Sequence, residues 1–189
     1  QGFHNLIYMT ISTGIGGGVI LDDRLVLGER GLATELGHVT VLPDGPLCPC
    51  GQYGHLEAVA AGPAIARWTE AQIKSGEASC LPAGQALTAK SVGEAAENGD
   101  HLAIRALERA GHWIGLALAN YLHIFNPAAI VLGGGVTRSG EYLLGPLRQA
   151  LMKYALSEHY LDGLTLVTAT LGDEVGLTGA LVLARALPG

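Results

Sequence analysis

A proline- and glycine-rich stretch at residues 35–57, ELGHVTVLPDGPLCPCGQYGHLE, constrains this chain more than any other. It sets His38, Cys48, Cys50 and His55 in an H-x9-C-x-C-x4-H arrangement, bracketed by Glu35 and Glu57. Thiolate and imidazole ligands, four at a time, suit tetrahedral Zn²⁺. Pro43, Asp44, Gly45, Pro46, Pro49, Gly51 and Gly54 make the intervening segment a loop. Such a loop has little apolar surface to hold its shape. A bound cation would fix it, because binding energy becomes ordering energy. The alternative is a solvated turn with two small cysteines and two incidental histidines. Against it stand the clustering of four ligand-type residues and the scarcity of cysteine elsewhere, where only Cys80 remains.

Composition narrows the rest. At 189 residues, 49% hydrophobic and 15% charged, the chain can bury a real core and is not disordered. A net charge of −6 argues against a nucleic-acid surface, which needs a basic stripe. No apolar run reaches the length of a membrane span, and no signal peptide opens the chain. Three cysteines, two of them in the C-x-C pair, make no disulfide framework. A reducing, cytoplasmic setting fits thiolate–metal chemistry better. The chain runs almost directly into a core strand, as the second part of a longer protein would.

Residues 5–12, NLIYMTIS, are apolar and β-branched and predict a buried strand. Thr13, Gly14, Ile15, Gly16, Gly17 and Gly18 then predict a glycine-rich turn. Strand character resumes over 19–21, Asp22 and Asp23 make a tight turn, and 24–27 return as a short strand. Glycines let backbone N–H groups approach an anion, and Thr13 adds a hydroxyl. A plain hairpin with glycines for tight turning fits the spacing equally well. Residues 55–73 predict a helix that breaks or restarts at Gly62-Pro63. Residues 75–89 read as irregular, with Cys80 a small buried residue.

A short helix is expected over 88–98. Asp100 then caps a long one, 101–125, whose apolar positions recur at helical spacing. Its small residues, Gly111, Gly115, Ala117 and Ala119, allow close packing. His112 and His123 on it read as packing residues. Asn126-Pro127 ends it. Residues 129–132, AIVL, predict a short buried strand followed by Gly133, Gly134 and Gly135, and then by a helix over 141–156. In a parallel α/β sheet ligands bind at such strand ends, although a plain tight connection would look the same. A strand at 164–168 and a helix at 175–187 close the chain.

Taken together, STGIGGG at 12–18, ELGH at 35–38, CPCGQYGHLE at 48–57 and IVLGGG at 130–135 resemble the ROK family of repressors and sugar kinases, in its order and spacing. The closest likeness is to its bacterial glucokinases. The resemblance implies an α/β fold of the ribonuclease-H-like, actin and hexokinase type, with a zinc-stabilised loop. It implies that Thr13, Gly14, Gly16 and Gly17 contact ATP phosphates, and that Gly133, Gly134 and Gly135 belong to the adenosine site. It implies that Glu35, His38 and Glu57 bind hexose hydroxyls. His38 would serve twice, with one ring nitrogen on a structural zinc and the other toward the sugar. Mg²⁺ is expected with ATP, and a homodimer as the assembly.

Two departures from the family matter. His55 stands where the family usually has a third cysteine, which leaves the metal site one negative charge poorer. The family's N-terminal domain, with an aspartate-glycine phosphate motif, and its general-base aspartate have no counterpart in residues 1–189. Neither Asp22, Asp23 nor Asp44 fits that pattern, and neither do Asp100, Asp162 and Asp173. The expectation is a C-terminal, larger domain of a kinase, without a catalytic residue of its own and inactive alone. A sugar-sensing domain of a repressor from the same family is the second reading. A stand-alone zinc-binding interaction module is the third.

Overall fold

Strand β1 (Leu6–Ile11) alternates, with Ile7, Met9 and Ile11 fully buried and the residues between them partly covered. It sits at the centre of a five-stranded sheet. Its neighbour on one side is β2 (Ile15–Leu21), antiparallel, which pairs in turn with the two-residue β3 (Arg24–Leu25). On the other side lie β4 (Ala129–Gly133) and then β5 (Thr165–Thr168), both parallel, giving the order β3-β2-β1-β4-β5. Burial of β4 is nearly continuous, as expected of a parallel strand covered on both faces. This computed structural model describes residues 2–170 and Gly179. Apart from Gly179, which is helical, the expected last helix at 175–187 lies outside the described residues.

The helices fall close to their sequence signals. The expected break within 55–73 separates α1 (Leu56–Ala60) from α2 (Gly62–Lys74), with Pro63 in the first turn of α2, where its missing N–H costs nothing. Thr88 caps α3 (Ala89–Glu97) in a reciprocal pair with Ser91. Asp100 caps α4 (His101–Phe125), its carboxylate accepting from Ala103 N at 2.9 Å. Burial alone would raise the Asp100 pKa. Donation from the Ala103 and Cys80 amides and the Ser79 hydroxyl outweighs it and brings the group down to about 2. Asn126, in the left-handed region, ends α4 before Pro127.

The small residues on α4 have the expected use. A Cβ at Gly111 or Gly115 would run into the Leu143 or Leu147 carbonyl of α5 (Glu141–Tyr154), so the two helices meet backbone to backbone. His112 packs edge-on against Trp113 and Tyr154, and His123 accepts from Leu156 N at 2.9 Å. Full burial of side chains such as Ile114, Leu118 and Leu122 contributes roughly 1.5–3 kcal/mol each. Among the described residues no helix is long and apolar enough to cross a membrane.

Three expectations need correction. Gly16, Gly17 and Gly18 are not a turn but the middle of β2, and the connection is only Ser12, Thr13 and Gly14. The reason is packing: a Cβ on Gly17 would sit 2.5 Å from the Tyr8 carbonyl oxygen of β1 and 2.6 Å from the Leu36 side chain, which lies on the strand there. Short 3-10 turns at Leu36–His38 and Gly135–Ser139 interrupt what read as loop. Cys80 is exposed, not buried, because Asp100 holds its amide at 2.6 Å on the surface before α4.

Candidate functional site

The loop at 35–57 is closed by its own backbone. Thr40 bridges His55 and Leu47 bridges Tyr53, so the two arms run antiparallel. Cys48 N donates to Gln52 O at 2.8 Å and Gly51 N to Cys48 O at 2.9 Å, which curls the C-x-C segment into a tight knuckle. His38 ends the 3-10 turn on one arm and His55 precedes α1 on the other.

One ligand atom from each of His38, Cys48, Cys50 and His55 lies within 4.8 Å of the other three. His38 Nδ1 is 3.7 Å from Cys48 Sγ, and Cys50 Sγ is 3.2 Å from His55 Nδ1. Tetrahedral zinc, with bonds of about 2.0–2.3 Å, sets such atoms roughly 3.3–3.8 Å apart. The donor set suits that ion, two of its separations match, and the outer bound of 4.8 Å closes onto it with a shift of about 1 Å. Burial pushes the Cys48 thiol up, and the Cys50 thiol and Glu57 carboxylate add to this against a lowering contact from the Cys50 backbone. A cation between the sulfurs would reverse that balance.

Glu57 faces two ways. Its Oε1 is 4.0 Å from Cys48 Sγ, and its Oε2 accepts from Ile15 N at 2.9 Å. A Cβ on Gly14 would lie 2.5 Å from that Oε2, so Gly14 makes room for the carboxylate. Glu57 thus ties the knuckle to the turn between β1 and β2. Glu35 is exposed, with Oε2 4.0 Å from His38 Nε2. His38 therefore turns one ring nitrogen to the cluster and the other toward Glu35.

A concavity of about 620 Å³ opens on the far side of that turn. Ser12 and Thr13 line one end, Gly62 and Pro63 the N-terminus of α2, Thr88 and Gly93 the α3 wall, and Gly135 and Arg138 the other end. Gly62 N donates to Ser12 O at 2.8 Å, so the first turn of α2 is locked to the loop after β1. Of the expected glycines, Gly135 has open space where a side chain would be. Gly133 lies against the Tyr8 hydroxyl, Gly134 against the Ile11 backbone, and Gly17 against the Tyr8 carbonyl and Leu36. Thr13 and Gly135 thus reach the concavity, Gly14 and Glu57 back onto each other, and His38, Cys48, Cys50 and His55 converge. The sequence pointed to none of Thr88, Gly93 and Arg138 as lining residues. The capping pattern at Thr88 was a signal for α3, but not for what α3 faces.

A mixed sheet of this order, with a cleft at the ends of β1 and β4 and a Cys/His knuckle beside it, is an α/β fold of the actin and hexokinase type. The chain belongs to the ROK family, whose profile matches residues 1–187. It is 37% identical over 184 residues to the glucokinase of Thermotoga maritima, covering 95% of this chain and 58% of that one. The ROK family glucokinase from Streptomyces griseus, solved in complex with glucose and AMPPNP, superposes with a TM-score of 0.85 at 33% identity, over 98% of this chain and 62% of that one. The DNA-binding transcriptional dual regulator NagC of Escherichia coli is 32% identical over 185 residues, covering 98% of this chain and 45% of that one. The chain thus spans about three-fifths of the length of these glucokinase relatives.

Proposed function

We propose that these residues form the nucleotide- and zinc-carrying part of an ATP-dependent hexose kinase, with glucose to glucose 6-phosphate as its reaction. The observation that carries this reading is the locked junction at Ser12, where the turn after β1, the N-terminus of α2 and the far end of the cleft at Gly135 meet around one concavity. A helix N-terminus favours negative charge, and the turn amides and Thr13 hydroxyl add donors. The phosphates of ATP would lie along Thr13, Gly14, Gly16 and Gly17, and its adenosine toward Gly133, Gly134 and Gly135. Mg²⁺ accompanying ATP would neutralise phosphate charge during transfer.

Glu35, His38 and Glu57 would accept from and orient the hexose hydroxyls. Zinc at His38, Cys48, Cys50 and His55 would be structural, fixing the arms that present these side chains. The proton acceptor for the sugar and the other wall of the cleft would come from outside residues 1–189. A cytoplasmic homodimer completes the proposal, since a reducing compartment preserves the two thiols.

The test is coupled ADP release with ATP and glucose, for the full-length protein and for residues 1–189 alone. Turnover is expected only in the former, because half a cleft neither positions nor encloses the reactants. Robust turnover by residues 1–189 alone would overturn the half-site reading. Cys48→Ser or Cys50→Ser should lower both zinc content and glucose affinity, while Glu57→Gln should weaken glucose and leave zinc in place.

A repressor's sugar-sensing domain is the second reading, favoured by the likeness to NagC along nearly the whole chain. Glucose binding without any ATP binding would select it, because a sensor needs no phosphate cradle.

A further inference from the structure

The side chains assigned to the hexose ride on two very short elements. His38 ends a three-residue 3-10 turn that Glu35 precedes, and Glu57 lies in the five-residue α1. Helices this short do not hold their own shape in water, and their carbonyls lack internal partners. Something outside them must set their orientation.

Both are held from α4. Tyr121, 2% exposed, donates its hydroxyl to the Leu36 carbonyl at 2.5 Å, across 85 positions in sequence. Burial pushes the Tyr121 phenol up, so it stays a donor. Twelve residues earlier on the same helix, Arg109 Nη1 donates to the Val59 carbonyl of α1 at 3.0 Å. Its guanidinium carbon lies 5.6 Å from the centre of the Trp68 ring. Arg109 is half-buried and permanently charged, so its bond to a carbonyl is a strong one. Twelve helical residues span about 18 Å, which lets one rigid rod reach both carriers.

We propose that Tyr121 and Arg109 are positioning residues for the hexose site. α4 is a common frame that aims Glu35 and His38 through one bond and Glu57 through the other. The inference rests on the hexose-site reading, which the kinase and the sugar-sensor proposals share.

The test is calorimetric titration of the full-length protein with glucose, with N-acetylglucosamine as a second sugar probe, and separately with a non-hydrolysable ATP analogue. The variants are Tyr121→Phe, which keeps the ring, and Arg109→Met, which keeps the stem over Trp68. Each should bind the sugar about tenfold more weakly. ATP-analogue affinity should stay within about twofold, and Arg109→Lys, which can still donate to Val59 O, should recover part of the loss.

Sugar affinity unchanged in either variant overturns the common frame. Equal losses for sugar and nucleotide overturn it too, because they mean general loosening. A wild-type protein that binds neither sugar defeats the hexose site itself, and this inference with it. Wild-type binding with silent variants defeats the inference alone.

Discussion

The glycines after β1 and those after β4 stand at the same end of two neighbouring parallel strands, yet they answer different demands. After β1, Gly14 gives way to a carboxylate that arrives from α1, and Gly17, within β2, gives way to the Tyr8 carbonyl and to Leu36 from the 3-10 turn. Gly14 thus serves an element that docks on the hairpin, and Gly17 serves both such docking and the sheet. After β4, Gly133 lies under the Tyr8 hydroxyl, and Gly134 turns the chain through φ +91° against the Ile11 backbone. Those serve the sheet itself. Only Gly135 in that run opens onto the concavity. Two runs that look equivalent as anion cradles therefore divide into a docking surface and a structural corner. Of the residues expected at the nucleotide, Thr13 and Gly135 are the ones that line the concavity.

The largest effect should come from Gly134→Ala. A Cβ there would overlap backbone and sit at a left-handed φ, so urea unfolding should register a loss of about 3 kcal/mol. A loss below about 1 kcal/mol would mean that the corner is looser than described and the contrast false. Gly17→Ala should cost about 2 kcal/mol by the same measurement, because its Cβ would meet the Tyr8 carbonyl and the Leu36 side chain but sit at an ordinary strand φ.

Gly14→Ala discriminates best, because it displaces Glu57 and spares the concavity. Glucose affinity should fall about tenfold while ATP affinity changes less. If ATP suffers first, the open side of Gly14 serves the phosphates rather than Glu57. Gly135→Ala should be the mildest for stability, within about 0.5 kcal/mol, and should weaken ATP alone.

Much of this was legible in the sequence because it is local. Apolar runs marked β1, β4 and β5, helical spacing marked α4, and Pro63, Asp100 and Asn126 marked helix ends. The four ligand-type residues converge because their loop is short enough that spacing nearly dictates proximity. What could not be read is what depends on distant partners. Gly16, Gly17 and Gly18 looked like a turn because their strand role rests on pairing with Thr10, Met9 and Tyr8 and on Leu36 packing against Gly17. Cys80 looked buried by composition, and its exposure follows from Asp100 capturing its amide. The bond from Tyr121 to Leu36 spans 85 residues, and no local pattern announces it.

The parallel ladder between β1 and β4 has one more consequence. Thr10 pairs with Gly133, so the two turns that bound the concavity leave from adjacent rungs, fixed about 4.8 Å apart by the ladder. The floor of the cleft is inextensible. A guest bulkier than the space allows gains no room there, and among the described residues the give must come from α2, from the 135–139 turn, or from α3, whose start is fixed by the Thr88–Ser91 cap. Tolerance for the size of the guest therefore rests with the helical walls and with the bare backbone at Gly135, and the ladder has no part in it.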